Sequence, residues 1–400
     1  MFLLCLIWVT IHSAQPGYAE DLCTAPSERS ISCWGAKADG RTDNSNAFKA
    51  AADWANSGSQ AAPKSLYFPS GVYLYSGGLV FTQPVTLLGT VNAVLSYTGN
   101  AEAIKFGPDG LTVKNYHYTP YVLDGLSFTG GASMTTGIYF NTFVTQTKVL
   151  GTRFINFGNP SAYNVSYQSQ NWYNLIDGVS MWSQSGPYMN GIRAEGNDAG
   201  GTSDKGQSRT IVVNSLLQFN GGTGIYLNGF HSQLDHVTVS GNIKNPIQVG
   251  SWGTFTVIDH VYEEAGATTT GCIVFGDSEG KRTSTAVGNL TIRNSYCNLH
   301  NTDFSTKARY LVPANGVTVL KLATLENNIV SSVSAIDPLI VQNDRPGQTG
   351  NRVDGLFVLN KLGDQAHVPP NLVHTMGSAI SPWEGTDSDA SISKPDAYRR

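Results

Sequence analysis

A loose repeat of roughly two dozen residues runs through the middle of this 400-residue chain and restricts its fold more than any other feature. The runs Leu123-Asp124-Gly125-Leu126-Ser127-Phe128, Leu234-Asp235-His236-Val237-Thr238-Val239, Ile258-Asp259-His260-Val261-Tyr262-Glu263 and Arg293-Asn294-Ser295-Tyr296-Cys297 each place Asp or Asn at a bend, followed by alternating side chains. Asn214, Asp235 and Asp259 follow one another at intervals of 21 and 24 residues, the length of one turn of a three-stranded solenoid. A single coil has no way to bury its apolar face, whereas stacked coils share backbone ladders and one continuous core. Asn and Asp suit the bends because they tolerate left-handed backbone and bond their own main chain. The repeat predicts an all-β chain, a single-stranded right-handed parallel β-helix from about Ser30 to about Asn360. A β-sandwich or propeller is the alternative that a loose repeat leaves open.

Composition agrees and removes some functions. Charged residues are 14% of the chain, against about 25% in an average globular protein, and 43 glycines punctuate the short β-rich runs. A net charge of -4 with no run of Lys or Arg gives no field for nucleic acid or an anionic membrane, and neither is expected as a partner. Residues 1–19 read as a signal peptide: an apolar run from Phe2 to Ile11, then Gly17-Tyr18-Ala19 with small residues where a signal peptidase inspects, although no Lys or Arg precedes the run. That run is too short to span a hydrocarbon layer of ~30 Å. The mature chain, starting near Glu20, is expected to be secreted, extracellular or periplasmic. It keeps Cys23, Cys33, Cys272 and Cys297, and an even number in an exported chain favours disulfides. Of the three pairings, Cys23 with Cys33 and Cys272 with Cys297 is expected, because a separation of 25 residues is about one coil and sets the second pair on neighbouring coils. Free buried thiols are the alternative.

The open ends of a solenoid expose strand edges and apolar side chains, so something must cover them. Asn44 to Asn56 suits that task as an amphipathic helix over the amino-terminal coil, with Ser45 as N-cap, Phe48, Ala51, Ala52 and Ala55 on one face, and Asn56-Ser57-Gly58 as the stop. The expected layout is a β-helix with its cap over residues 20–365 and an irregular, proline-bearing tail over 366–400. Ser183 to Ser208 reads as a long loop leaving one coil.

Gly35-Ala36-Lys37-Ala38-Asp39-Gly40-Arg41-Thr42-Asp43-Asn44, leading into Ala47-Phe48-Lys49-Ala50-Ala51 and then Tyr67-Phe68-Pro69-Ser70-Gly71-Val72-Tyr73, strongly resembles the opening signature of the pectate-lyase-like superfamily. That group includes polygalacturonases, rhamnogalacturonases, some exo-glucanases and phage tailspike depolymerases. The resemblance implies the parallel β-helix, but a fold does not specify a reaction. Tyr262-Glu263-Glu264 followed by Ala265-Gly266 looks like the Tyr-x-Glu-Gly-type strand end of many members, which sets the shared Glu at Glu264. The Asp-Asp pair and Gly-His-Gly motif of polygalacturonases are absent, so the resemblance does not extend to that activity. Val257-Ile258-Asp259-His260 is similar to an Ile-Asp-His stretch of pectate lyases but lacks the preceding Trp.

A stack of coils sets outward side chains in rows ~4.8 Å apart, a surface suited to an extended polymer. Hydrolysis of a glycosidic bond needs a carboxylic acid and a second carboxylate ~5 to 9.5 Å apart, which residues one or two coils apart satisfy. The catalytic candidates are Glu264, taken first, Glu263, Asp235 and Asp259; the bend aspartates have backbone capping as their alternative role. With Val237 and Val261 inward, Tyr262 and Glu264 face outward, while Glu263 faces the core, where a raised pKa suits a general acid. His236 and His260 read as surface side chains at the bends. Trp182, Tyr188, Tyr226 and Trp252 are candidate sugar platforms, with plain packing as the alternative, and Arg193 and Tyr262 complete the substrate-binding set. Elimination across a uronate is the rival reaction, with Arg193, Arg209, Lys244 and Tyr262 as candidate bases or charge neutralisers. No Asp or His spacing singles out a metal, and no cofactor is expected. The expected function is polysaccharide cleavage by a monomer or homotrimer; a non-catalytic adhesin or tailspike-like binder is the alternative outside enzymes.

Overall fold

The computed structural model describes residues 23–331, apart from 113, 132, 156–161, 169, 184–189, 196–206, 220, 242, 267–268, 270, 277–283, 300–308 and 315–316, together with the strand segments 352–353, 356–359, 374–376 and 379–381. The proposed signal peptide and Tyr188 lie outside these residues.

Inward apolar and outward polar residues alternate three times per coil, and the chain coils into three parallel sheets of fourteen, eleven and nine strands among the described residues. The first sheet starts at Glu28–Ser30, the second at Asp39–Asp43 and the third at Leu79–Phe81, and each later strand pairs with its counterpart one coil away. The result is a right-handed parallel β-helix. Inward residues stack rung on rung: Leu66, Leu87, Leu123, Val149, Ile176, Val212, Leu234, Ile258, Ile292 and Leu325 line the first sheet. Phe81, Phe106, Phe140 and Tyr167 form a column in the third, with ring centroids 5.6, 5.0 and 4.6 Å apart. Burial of side chains of this size stabilises by about 1.5–3 kcal/mol each, which no isolated coil obtains.

Helix α1, Ser45–Asn56, lies over the first coils and buries Phe48, Ala51, Ala52 and Ala55. The Phe48 ring meets Phe68, Tyr73 and Tyr75 at 5.7, 5.9 and 5.2 Å. Ser45 is the first helical residue and not the N-cap, which is Asn44; the carboxylate of Asp43 accepts from the Ser45 amide at 2.9 Å and its hydroxyl at 2.5 Å, satisfying the helix start from one residue further out. The disulfides are Cys23–Cys33 and Cys272–Cys297, with Cα atoms 5.3 and 6.3 Å apart.

Further differences from the sequence reading lie in the coils. The segment Ser183 to Ser208 is not one loop, because Asn190–Ala194 forms a third-sheet strand, with Ile192 inward between Val165 and Ile225, and Gln207–Val213 begins the next first-sheet strand. Asn214 does not share a column with Asp235 and Asp259; it stands level with His236, because Val213 is the residue paired with Asp235. Within the segment expected as an irregular tail, His374–Met376 pairs antiparallel with Ala379–Ser381.

Candidate functional site

From Asp124 onward, the bend from the first sheet to the second is a two-residue turn repeated coil after coil. Its first residue has left-handed φ: Gly125 (71°), Gly151 (51°), Gly178 (65°), Asn214 (50°), His236 (52°), His260 (48°), Asn294 (51°) and Asn327 (51°). Gly takes this conformation without penalty and Asn at little cost, whereas a larger side chain pays on the order of 1 kcal/mol. The residue before each bend points outward, and the strand registers stack these as Asp124, Leu150, Asp177, Val213, Asp235, Asp259, Arg293 and Glu326. Two columns of side chains therefore climb one outer corner in steps of ~4.8 Å.

Their middle rungs form a cluster. His236 Nδ1 lies 2.8 Å from Asp235 Oδ1, and His260 Nδ1 lies 2.9 Å from Asp259 Oδ1 and 3.4 Å from Asp235 Oδ1. The two imidazoles stack with centroids 4.7 Å apart and planes 16° from parallel. Arg293 Nε donates to Asp259 Oδ2 at 2.7 Å, and Asn294 Nδ2 donates to Asp259 Oδ1 at 3.0 Å. One coil-step of the same pattern recurs where Asn214 Nδ2 donates to Asp177 Oδ1 at 2.9 Å.

The Asp259 side chain is only 8% exposed. Burial alone raises its pKa, but the hydrogen bonds from Asn294 and Arg293, with the charges of Arg293 and His260, outweigh burial and hold the carboxyl below its ordinary value. A carboxylate near Nδ1 favours the tautomer that carries its proton there, which leaves Nε2 as the free acceptor nitrogen. With 47% of its side chain exposed, His260 can reach a polymer lying on this corner. Because Asp235 and Asp259 approach one nitrogen, their nearest oxygens are no more than ~6.3 Å apart, within reach of the separations used by paired catalytic carboxylates.

The four candidate carboxylates are thus distributed over three places. Asp235 and Asp259 share the corner. Glu264 points outward from the second sheet between Ser240 and Asn298, near the other end of its strand. Glu263 points inward, 2% exposed, in the column of Phe154, Met181, Leu217, Val239 and Cys297. Its Oε2 has no hydrogen-bond partner and burial pushes its pKa well up, as expected, but an inward carboxyl beside the Cys272–Cys297 bridge does not belong to the outer wall where a polymer would lie.

Tyr262 stacks on Tyr296 one coil away, centroids 5.4 Å apart and planes 5° from parallel, on the outer face of the second sheet. Trp182, 38% exposed, shares the outer column of Gln218, Ser240 and Glu264. Other binding candidates are taken by packing. Tyr226 is buried on the third sheet between Arg193 and Gln248. Arg193 pairs with Glu195 and lies over the Tyr163 ring, 5.3 Å from its centroid. Trp252 is half-buried against Phe230, ring centroids 5.8 Å apart. The candidates for elimination are dispersed, Arg193 and Lys244 on the third sheet, Arg209 on the first and Tyr262 on the second.

Sequence reasoning did not select His236, His260, Arg293 or Asn294. The usable signal was the pair Asp-His at 235–236 and again at 259–260, one coil apart.

The family model described as "Rhamnogalacturonase A/epimerase, pectate lyase-like" matches residues 29–252. Comparison with curated proteins returns no significant match. Among solved structures, ORF18 of Geobacillus virus E2 is similar with TM-score 0.56 and 15% identity, over 86% of this chain and 62% of that one. The tailspike protein of Acinetobacter phage vB_ApiP_P1 is similar with TM-score 0.54 and 10% identity, over 90% of this chain and 63% of that one. The chain therefore spans less than two thirds of the length of either, and at these identities the likeness is one of fold.

Proposed function

This chain belongs to the rhamnogalacturonase A/epimerase, pectate lyase-like family, and on that premise we propose that it is an exported enzyme cleaving glycosidic bonds of an extended polysaccharide at the Asp235–Asp259–His260 corner. The observation that carries the reading is one exposed imidazole with carboxylates from adjacent coils 2.9 and 3.4 Å from the same nitrogen. Asp259, kept ionised, serves as base, nucleophile or counter-charge to an oxocarbenium-like transition state. His260 moves the proton through Nε2, and Asp235 orients it. The Tyr262–Tyr296 stack and Trp182 offer flat apolar faces on the adjoining wall. The disulfides fit an oxidising compartment.

A reducing-end assay over neutral and acidic polymers, run beside ultraviolet detection of unsaturated ends, tests the reading. Hydrolysis raises the first signal alone, elimination raises both, and a binder raises neither while still being retarded on a polysaccharide gel. Asp259→Asn is expected to lower kcat by at least about 100-fold, whereas Glu264→Gln stays within about tenfold. The reverse ranking moves the site from the corner to the Glu264 wall.

A further inference from the structure

The donors at the corner have a second property that the cleavage reading does not use. Asp235, His236 and His260 each bring one ligand atom to within 4.8 Å of the others, and Asp235 Oδ1 is 2.8 and 3.4 Å from the Nδ1 atoms of His236 and His260. Ligands at ~2.0–2.1 Å from a tetrahedral or square-planar ion are ~2.9–3.4 Å apart along the edges of the coordination polyhedron. The two oxygen–nitrogen separations, 2.8 and 3.4 Å, are close to those edges. Asp259 Oδ1, 2.9 Å from His260 Nδ1, stands where a fourth donor would be.

We propose that Asp235, His236 and His260 form a binding site for a borderline divalent transition ion such as Zn2+ or Cu2+. Two imidazole nitrogens select against Ca2+ and Mg2+, which require shells made mainly of oxygen. The ladder supplies the arrangement: consecutive coils present the same residue pair in the same backbone conformation, so the second imidazole is a copy of the first, one rung up. Arg293 and Asn294 hold Asp259 from the opposite side and keep it next to His260. The outward side stays open, since 61% of the His236 side chain and 47% of that of His260 are exposed, which leaves room for water or a sugar hydroxyl or carboxylate as a further ligand. Ion binding takes the Nδ1 atoms away from the carboxylates, so it competes with the proton arrangement described for His260. Binding itself depends only on the donors and holds whether or not the corner cleaves sugar.

The test uses the full chain without an affinity tag, stripped with chelator. Titration calorimetry with Zn2+ and electron paramagnetic resonance with Cu2+ are expected to give one ion per chain, Kd about 10 μM or tighter, with coupling from two imidazole nitrogens. His236→Asn combined with His260→Asn is expected to weaken binding by at least about 100-fold. Asn occupies the same left-handed seat at Asn214 and Asn294, so this variant keeps the bend, and unchanged thermal unfolding verifies it. If the double variant is misfolded, His236→Asn alone is expected to weaken binding at least about tenfold. Binding that survives these substitutions, no binding of Zn2+ to the parent chain at about 100 μM, or Ca2+ binding as tight as Zn2+ overturns the proposal. Cleavage is assayed on the stripped protein, so its loss and the loss of ion binding are read separately.

Discussion

Glu263 and Asp259 are carboxylates of the same coil whose surroundings push them in opposite directions. Glu263 interrupts an apolar column, with Val239 and Cys297 as its register neighbours and near it the buried Tyr310 hydroxyl, raised first by its own burial and then by the Glu263 charge. Its folded pKa lies above the unfolded one, so its contribution is most favourable below the unfolded value of ~4.3 and is lost as pH rises toward the folded value. Glu263→Gln keeps the shape and removes the titration. At pH 7 it is expected to raise the Tm by a few degrees, at ~1–2 °C per kcal/mol for a chain of this length, with the gain shrinking near pH 4. An equal difference at both pH values overturns the assignment of the effect to ionisation. Asp259 has the depressed pKa, so its contribution is present above the unfolded value of ~3.9 and lost as pH falls through the lower folded value. Asp259→Asn is therefore expected to lower the Tm at pH 7 by several degrees and to approach the parent chain at pH 2, followed by circular dichroism melts across that range.

Among the elements, α1 and the sheet bends do different work. The helix covers strand edges and aromatic rings at the first coils, so Phe48→Ala removes the ring that touches Phe68, Tyr73 and Tyr75. It is expected to cost about 3–5 kcal/mol and, by loosening the cover, to promote association through exposed edges. Thermal melts and size-exclusion chromatography check both; a stable, unassociated variant shows that the first coil needs no cover. The bends explain what was readable beforehand. Gly125, Asn214 and Asn294 are residues that any left-handed turn selects, so the repeat and the solenoid were legible. The exact column was not, because a two-residue bend offers two polar positions, and Asn214 lines up with His236 while its interval of 21 points to Asp235. The stacking of Asp235 on Asp259 followed from their spacing of 24, but the imidazole between them did not, since side-chain direction at positive φ is not a property of sequence spacing. Asn190–Ala194 was hidden by the Gly- and Ser-rich segments flanking a strand of only five residues.

At the scale of the whole molecule, the stacked coils convert separations of 20 to 40 residues into neighbouring places on one wall, and that wall has a direction. From Asp177 to Glu326 the corner climbs about 24 Å, with Asp235 and Asp259 near its middle. Trp182 stands three rungs below Glu264, roughly 14 Å from the coil that carries His260. If a polymer lies along the stack, a ring at that distance touches only substrates long enough to reach it while their scissile bond sits at the corner. Trp182→Ala is therefore expected to lower kcat/KM on long chains by about tenfold, the value of one lost aromatic platform, and to leave the shortest cleaved oligomer unchanged. Kinetics on a size-graded oligosaccharide series decide it. An equal loss at every length means that Trp182 acts through packing, and no loss at any length means that the polymer crosses the stack instead of following it.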